Sequence, residues 1–226
     1  MKKYLVLSAA VMIAAVFFAC TAGDAGPAGP DAGNTATAVF QNGVSPSSVY
    51  AGCEDVYLES SAPDTNGNGN TIILMGHEIG NVYRTVMRFD LSYIIPSNVS
   101  VVSAYLDLDY SNRSGTTTIN AYALTKSFVE GEVTWNSYSA GNAWDAPGGD
   151  FMASAISSSV IVSSSFPIRI TLSASAVQAW INNPAENHGF LLKAQNETTG
   201  TNWARYDSEE DNAPYGPKLT VNYILP

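Results

Sequence analysis

Aromatic side chains beside amides and carboxylates are the feature of this chain that most suggests a binding chemistry. Trp144 lies in residues 141–147, a stretch whose Gly, Asn, Asp and Pro content predicts a loop, and Trp203 follows the polar run 196–202. An exposed indole ring can stack on the apolar face of a sugar while neighbouring amides and carboxylates bind its hydroxyls. The sequence therefore predicts a carbohydrate site with six members: Trp144, Trp203, Tyr138, Asn142, Asp145 and Tyr215.

The alternative interpretation is that these rings close the ends of the fold and bind no ligand. Large aromatic side chains also dominate protein cores, so an indole in a loop is compatible with either role. Trp135, in a Val-Thr-Trp-Asn string, and Trp180, on a predicted helical stripe, are expected to be core residues.

A second group of side chains could bind a cation. The first and last strands of a β-sandwich often meet, and carboxylates gathered there repel one another unless a cation joins them. This predicts a structural calcium site from Glu54, Asp55, Asp207 and Glu209, with Glu210 beside them. Solvated acids explain the same residues equally simply.

Residues for catalysis are sparse. His77 and His188 are the two histidines, and neither has metal-ligand spacing to the other or to a cysteine. Glu130 and Glu132 could be drawn as a glycosidase pair, but sequence spacing cannot give the separation that such a pair requires. A non-catalytic protein is therefore expected. Arg84, Arg88 and Asp90 would share one side of a predicted strand, and they are expected to form cross-strand ion pairs.

The amino terminus predicts export. Lys2 and Lys3 precede the apolar stretch 4–18, and Ala19 supplies the small residue beside a cleavage site. Cys20 follows directly, which resembles the lipobox of bacterial lipoproteins, where the cysteine is lipidated and becomes the mature amino terminus. The expected location is the outer membrane or cell surface, with ordinary cleavage and secretion of a soluble protein as the alternative.

Composition restricts the partners. The chain of 226 residues carries a formal net charge of −10, which repels phosphate backbones and excludes nucleic acid as an expected partner. Attachment to a membrane would therefore come from acyl chains at Cys20. Cys53 is then unpaired, so disulfides do not stabilise the domain. Oligomeric state does not follow from the sequence.

The remaining chain divides into a tether and one module. Residues 1–19 are the predicted signal peptide, and residues 20–51, rich in Gly, Ala, Pro and Thr, are the predicted tether. Residues 52–226 contain short segments of alternating polarity separated by turn residues, and only 173–181 has helical spacing. The prediction is an all-β, antiparallel jelly-roll β-sandwich with one short helix. The predicted strands are 82–91, 104–110, 117–124, 166–172, 190–194 and 218–224, with shorter ones at 56–58, 72–75 and 203–206.

Several strings occur in an order that resembles the DNRLRE-type family of extracellular β-sandwich modules, some of which are carbohydrate-binding modules. They include Glu-Asp-Val-Tyr-Leu at 54–58, Arg-Thr-Val-Met-Arg-Phe-Asp-Leu-Ser at 84–92, Glu-Gly-Glu-Val-Thr-Trp-Asn at 130–136 and Pro-Lys-Leu-Thr-Val at 217–221. The resemblance implies a jelly roll on a secreted or surface protein. The expected function is a surface lipoprotein displaying a carbohydrate-binding module. A structural or adhesive envelope protein and a polysaccharide-degrading enzyme are the alternatives.

Overall fold

The computed structural model describes residues 34–164, 167–211 and 214–226. The predicted signal peptide, Cys20 and the first part of the predicted tether lie outside these residues. The strands are β1 Thr35–Phe40, β2 Cys53–Glu59, β3 Ile72–Glu78, β4 Asn81–Phe89, β5 Ser100–Leu108, β6 Tyr110–Ser114, β7 Thr117–Leu124, β8 Ser137–Ser139, β9 Asn142–Ala143, β10 Phe151–Ala155, β11 Val160–Val162, β12 Ile168–Leu172, β13 Phe190–Ala194, β14 Asn202–Asp207 and β15 Lys218–Ile224. One α-helix, α1 at Ala174–Asn182, is followed by a 3₁₀ turn at Pro184–Glu186.

The smaller sheet has the order β1-β15-β5-β12, and every pairing in it is antiparallel. In β5 the side chains of Ala104, Leu106 and Leu108 are fully buried and their neighbours are not, which is the predicted alternation. β5 ends at Leu108, and Tyr110 begins β6, which pairs with β14 of the other sheet. The chain therefore crosses between sheets one residue before the predicted end of this strand.

The larger sheet has nine strands, with the order β10-β7-β13-β4-β3-β14-β6. β2 pairs with β4 along one side, from Cys53 opposite Phe89 to Glu59 opposite Tyr83. On the other side, β4 pairs first with β3 and then with β13. β11 also pairs with β7. The predicted antiparallel β-sandwich with one short helix is confirmed.

The main core lies between the two sheets. Leu106 and Leu219 from the smaller sheet share one buried cluster with Met75, Met87 and Phe190 from the larger sheet. The helix α1 adds Val177, Trp180 and Ile181, the apolar stripe that the sequence predicted.

A second core covers the opposite face of the larger sheet. Val86 on β4 and Leu191 on β13 pack there against Phe128, Val133 and Trp144 from the segment that follows β7. Trp135 packs against the same cluster, half-buried. The larger sheet is therefore buried on both faces around β4, which the alternating pattern alone did not predict.

The structure corrects the predicted boundary of the module at residue 52. Thr35–Phe40, predicted as tether, forms β1 and pairs with β15 from Thr35 opposite Ile224 to Phe40 opposite Leu219. Phe40 is fully buried in the main core and contacts the ring of Tyr50 at 5.6 Å between centroids. The strand was missed because its threonines and alanines give low hydrophobicity, and because the apolar Val39 between Ala38 and Phe40 breaks the alternation of polar and apolar residues.

Replacement of Phe40 by Ala should destabilise the protein strongly, because it empties a fully buried position in the main core. A buried Phe→Ala change costs about 3–5 kcal/mol. Val39→Ala is the matched control, since Val39 is the half-buried neighbour in the same strand. Urea unfolding of both variants measures the difference. Equal losses in the two variants would contradict the assignment of β1 to the sandwich.

Candidate functional site

One end of the sandwich carries a cleft of about 590 Å³. The start of β2, the end of β4, the loop after β4 and the end of α1 form its walls. We call it the end cleft. Polar and apolar residues both line it, among them Glu54, Arg88, Asp90, Leu91, Ser97, Ser127, Trp180 and Asn187.

The Glu54–Arg88 ion pair is the main charged feature of the end cleft. The two residues lie opposite each other in the β2–β4 register, and Arg88 Nη2 donates to Glu54 Oε2 at 2.5 Å. The guanidinium also lies over the ring of Phe128, 5.1 Å from its centroid. The side chains are 26% and 34% exposed, so each keeps a surface towards solvent. The predicted cross-strand ion pair is confirmed for Arg88, whereas the partner of Arg84 is Glu197, which lies after β13.

Hydroxyl and amide groups add further donors and acceptors to the end cleft. Asp90 Oδ1 accepts hydrogen bonds from the backbone N–H and the hydroxyl of Ser92, at 2.9 and 2.6 Å. Asn187 donates its side-chain N–H to the carbonyl of Phe89 at 2.8 Å. The cleft therefore combines fixed polar groups with apolar lining residues such as Leu91 and Trp180.

A cluster of carboxylates lies beside the free edge of β2, next to Glu54. We call Asp55, Glu130, Glu209 and Glu210 the carboxylate cluster. Carboxylate oxygens of the three glutamates all lie within 4.8 Å of one another. Asp55 is 1% exposed, and its Oδ2 accepts the backbone N–H of Glu209 at 3.0 Å. Its own backbone N–H donates to Glu130 Oε1 at 3.2 Å.

Burial, together with the charges of neighbouring carboxylates, raises the pKa of three of these acids. Burial raises the pKa of Asp55 well above its ordinary range, and the charge of Glu210 raises it further. Burial and then the charges of Glu209, Glu54 and Glu210 raise the pKa of Glu130 to about 7. Burial also raises the pKa of Glu209. The common cause is that several negative charges share a site that is partly removed from water.

Cys53, the free thiol of the described residues, lies next to this cluster and is buried. Burial raises the pKa of its thiol, and the charges of Asp55, Glu209, Glu130 and Glu54 raise it further. A thiolate is the reactive form of cysteine, so this environment makes Cys53 a poor nucleophile and a structural residue.

The structure corrects the prediction that Trp144 is an exposed stacking platform. Trp144 is 4% exposed and belongs to the second core, where its ring N–H donates to the carbonyl of Thr134 at 3.0 Å. The loop around it folds back over the larger sheet, so its apolar ring is removed from water. Tyr138 packs against it at 5.5 Å between centroids and is half-buried. Asn142 and Asp145 are exposed nearby, and Asp145 forms an ion pair with Lys126 at 2.7 Å.

The other two predicted aromatic residues lie on different surfaces. Trp203 is half-buried on β14, opposite Gly76 of β3. A side chain at position 76 would collide with the backbone of β14, so only glycine fits there. Tyr215 is 51% exposed and lines a separate cleft of about 360 Å³ with Asp107 and Arg169. The six predicted residues therefore do not form one platform.

The predicted calcium residues are brought together in part. Asp55 and Glu209 are in contact, and Glu210 lies with them. Glu54 is paired with Arg88 instead. Burial, and then the charges of Asp211 and Asp109, raise the pKa of Asp207 to about 6. Glu130 was missed as a member, because it comes from a segment far away in the sequence and no local spacing connects it with β2.

One arrangement near the end cleft resembles a catalytic triad. The hydroxyl of Ser127 lies 2.8 Å from His188 Nδ1, and Glu186 Oε2 lies 3.6 Å from His188 Nε2. In working triads the carboxylate is buried and holds the imidazole by a hydrogen bond. Here the side chain of Glu186 is 69% exposed and beyond hydrogen-bond distance, so it does not fix the ring.

Fold and site together define an antiparallel β-sandwich module with a polar end cleft and an adjacent carboxylate cluster. A family described as the Disaggregatase related repeat domain matches residues 55–221, and the chain belongs to this family. This repeat-domain family is distinct from the DNRLRE-type modules that the sequence resembles, so the DNRLRE assignment is not confirmed. The match runs from β2 into β15 and leaves β1 outside. No curated protein matches the chain. Among the described residues, no helix is both long and apolar enough to cross a membrane.

Replacement of Glu130 by Gln should reduce the pH dependence of stability. The folded pKa of about 7 exceeds the ordinary value of 4.5. Stabilisation from protonated Glu130 is therefore fully present below about pH 4.5 and is lost as pH rises through about 7. With EDTA present, the Tm of the parent should fall between pH 5 and 8, and the fall should be smaller in Glu130→Gln. Part of the pH dependence of Tm should remain in the variant, because the pKa values of Asp55 and Glu209 are also raised.

The control for this measurement is Glu132→Gln, an exposed carboxylate from the same segment. It should keep the pH dependence of the parent. A Glu130→Gln variant whose Tm falls with pH as steeply as the parent would show that Glu130 is an ordinary solvated acid.

Proposed function

We propose that this protein is a non-catalytic, carbohydrate-binding module displayed at the cell surface. The observation that carries the proposal is the end cleft, which is lined by the partly exposed Glu54–Arg88 ion pair and by apolar residues. The ordered strings that resemble DNRLRE-type modules, some of which bind carbohydrate, support the same proposal.

The chemistry of the end cleft suits a sugar. Each sugar hydroxyl donates one hydrogen bond and accepts others, so it needs acceptors and donors side by side. Glu54 and Asp90 offer carboxylate acceptors, Arg88 offers guanidinium donors, and Ser97 and Ser127 offer hydroxyls. Hydrogen bonds to charged groups are stronger than those between neutral groups.

The size and charge of the cleft narrow the ligand class. A volume of about 590 Å³ falls within the range of roughly 300–1,000 Å³ that is usual for small-molecule sites. A cleft beside the carboxylate cluster, on a chain with net charge −10, disfavours strongly anionic ligands. The ligand we propose is a neutral glycan, bound as one or two sugar units of a longer polymer.

The test compares two cross-strand ion pairs in a glycan array and in titrations of the full chain. The double variant Glu54→Gln/Arg88→Met removes both charges of the end cleft and leaves neither unpaired. We expect its affinity for the bound glycan to fall at least about tenfold, which is the loss of one charged hydrogen bond. The matched control is Asp107→Asn/Arg169→Met, which removes the corresponding pair between β5 and β12 in the smaller cleft.

Each outcome of this experiment has one meaning. Loss of binding in the control but not in the first variant would move the site to the cleft of Tyr215. Trp203→Ala is a third variant in the same titrations, and loss of binding in this variant alone would move the site to the face of β14. Silence of the whole array, with the protein shown to be folded, would favour the alternative of an adhesive or structural envelope protein. Release of products from a polymer would contradict a non-catalytic role.

We also propose that Cys20 carries the lipid that holds the module at the cell envelope. The charges at Lys2 and Lys3, the apolar stretch 4–18 and Ala19 support this proposal. Metabolic labelling with an alkyne fatty acid in a bacterial host should label the parent and leave Cys20→Ala unlabelled. Cys53→Ala is the control and should be labelled like the parent. Label on Cys20→Ala, or on neither protein, would contradict lipidation at this position.

A further inference from the structure

We propose that the carboxylate cluster, Asp55, Glu130, Glu209 and Glu210, binds one calcium ion that joins three separate parts of the chain. Asp55 lies on β2, Glu130 lies in the segment after β7, and the other two follow β14. This proposal goes beyond carbohydrate binding and does not depend on it.

The first observation is the geometry of the oxygens. Glu130, Glu209 and Glu210 each place a carboxylate oxygen within 4.8 Å of the others. Oxygens that each lie 2.3–2.6 Å from one calcium ion are separated by no more than about 5 Å, so these distances match a shared ion. All three side chains are half-buried, so water screens their repulsion poorly.

The second observation is an unpartnered buried oxygen. Asp55 is 1% exposed, and its Oδ2 is bound by the N–H of Glu209. Its Oδ1 is buried and has no hydrogen-bond partner among the described residues. Buried polar atoms are nearly always satisfied, and an unpaired carboxylate oxygen is among the most costly exceptions. Asp55 Oδ2 accepts a hydrogen bond from the backbone N–H of Glu209, and the backbone N–H of Asp55 donates to Glu130 Oε1, so the carboxyl group that carries the free oxygen lies beside the three glutamates.

The third observation is the lack of a protein cation for this charge. None of the ion pairs between described residues includes Asp55, Glu130, Glu209 or Glu210. Arg88 is engaged by Glu54. Four carboxylates therefore share a partly dry site without a protein countercharge, which a divalent cation would supply.

The fourth observation is that neutral donors already hold the glutamates in place. The backbone N–H of Gly69 donates to Glu210 Oε1 at 3.0 Å, and the hydroxyl of Ser208 donates to Glu210 Oε2 at 2.7 Å. Asn42 donates its side-chain N–H to Glu209 Oε2. Each carboxylate oxygen has further lone pairs, so these contacts orient the ligands without using them up.

The choice of calcium follows from the donor set. All four side chains are carboxylates, and no histidine or cysteine ligand belongs to the cluster, which disfavours zinc and copper. Calcium accepts six to eight oxygens in flexible geometry, whereas magnesium requires a near-ideal octahedron and keeps several waters. Ligands from three segments with different backbone directions suit the larger and less demanding ion.

The experiment is calcium titration of the chelated full-length protein by calorimetry, together with thermal unfolding, without any sugar present. We expect one calcium ion per chain and a Tm that rises by roughly 5–10 °C at saturation, as for a ligand that binds only the folded state. Magnesium at the same concentrations should bind at least tenfold more weakly. The absence of calorimetric heat and of any Tm change with calcium, in folded protein, would overturn the proposal.

Asp55→Asn is the decisive variant, because asparagine keeps an oxygen for the N–H of Glu209 and loses the charge. We expect calcium affinity to fall at least tenfold. In EDTA the Tm of Asp55→Asn should exceed that of the parent, because the variant has one fewer carboxylate in the cluster and less repulsion. In calcium the Tm of the variant should lie below that of the parent. Glu132→Gln, the exposed control, should bind within twofold of the parent. Equal calcium affinities in Asp55→Asn and Glu132→Gln, or an equal response to magnesium, would overturn the assignment. If no glycan on the array is bound, the calcium results are unaffected, so the calcium proposal and the carbohydrate proposal can be rejected independently.

Discussion

The constraint on which this structure depends is the burial of the larger sheet on both of its faces at β2 and β4. Successive residues of β4 enter different cores, with Met87 in the main core and Val86 in the second. Arg84 and Arg88 lie on the same face of β4 as Val86, where burial of a guanidinium without a partner would cost folding free energy. Each arginine therefore needs a carboxylate and an aromatic ring, and the positions of those partners determine where the charged groups of the site lie.

Both arginines satisfy this requirement in the same way. Arg84 donates two hydrogen bonds to Glu197 and lies 5.0 Å from the ring centroid of Trp135. Arg88 is bound by Glu54 and lies over Phe128. The two rings come from one segment, after β7, which also supplies Glu130. Packing of that segment against the arginines therefore brings Glu130 to the edge of β2.

The edge of β2 presents a second requirement. β2 pairs with β4 on one side, and among the described strands no other strand pairs with it. Exposed edge N–H and C=O groups invite pairing with other chains, so proteins cover them. Here side chains do so, because Asn42 binds both the N–H and the carbonyl of Cys53, and Glu130 accepts the N–H of Asp55. Covering an edge with a carboxylate brings negative charge towards Asp55, and this creates the carboxylate cluster.

The sequence predicted the local structure well and the long-range structure poorly. The alternation of apolar and polar residues identified β4, β5, β7, β13 and β15, because every second residue of a half-buried strand faces the core and is apolar. It did not identify β1, whose small residues resemble a tether, nor the second core, because a loop that packs against a sheet has no periodicity. Trp144 shows the consequence: glycine, asparagine and proline correctly predict a loop, but loop composition does not distinguish a buried ring from an exposed one.

The candidate site was predictable to the same extent. Asp55 and Glu209 were predicted to lie together on the expectation that the first and last strands of a sandwich meet. The first and last strands that do meet are β1 and β15, and the contact between Asp55 and Glu209 forms between β2 and the segment after β14. Glu130 could not be predicted as a member, since its position depends on how a long segment folds over the second core. Glu54 joins the two parts of the site: it pairs with Arg88 in the end cleft, and its charge raises the pKa of Glu130 in the cluster. A cation among the four carboxylates would weaken their repulsion of the Glu54 carboxylate, which could then keep its ion pair with Arg88. The charge of the carboxylate cluster and the shape of the end cleft are therefore linked through the side chain of Glu54.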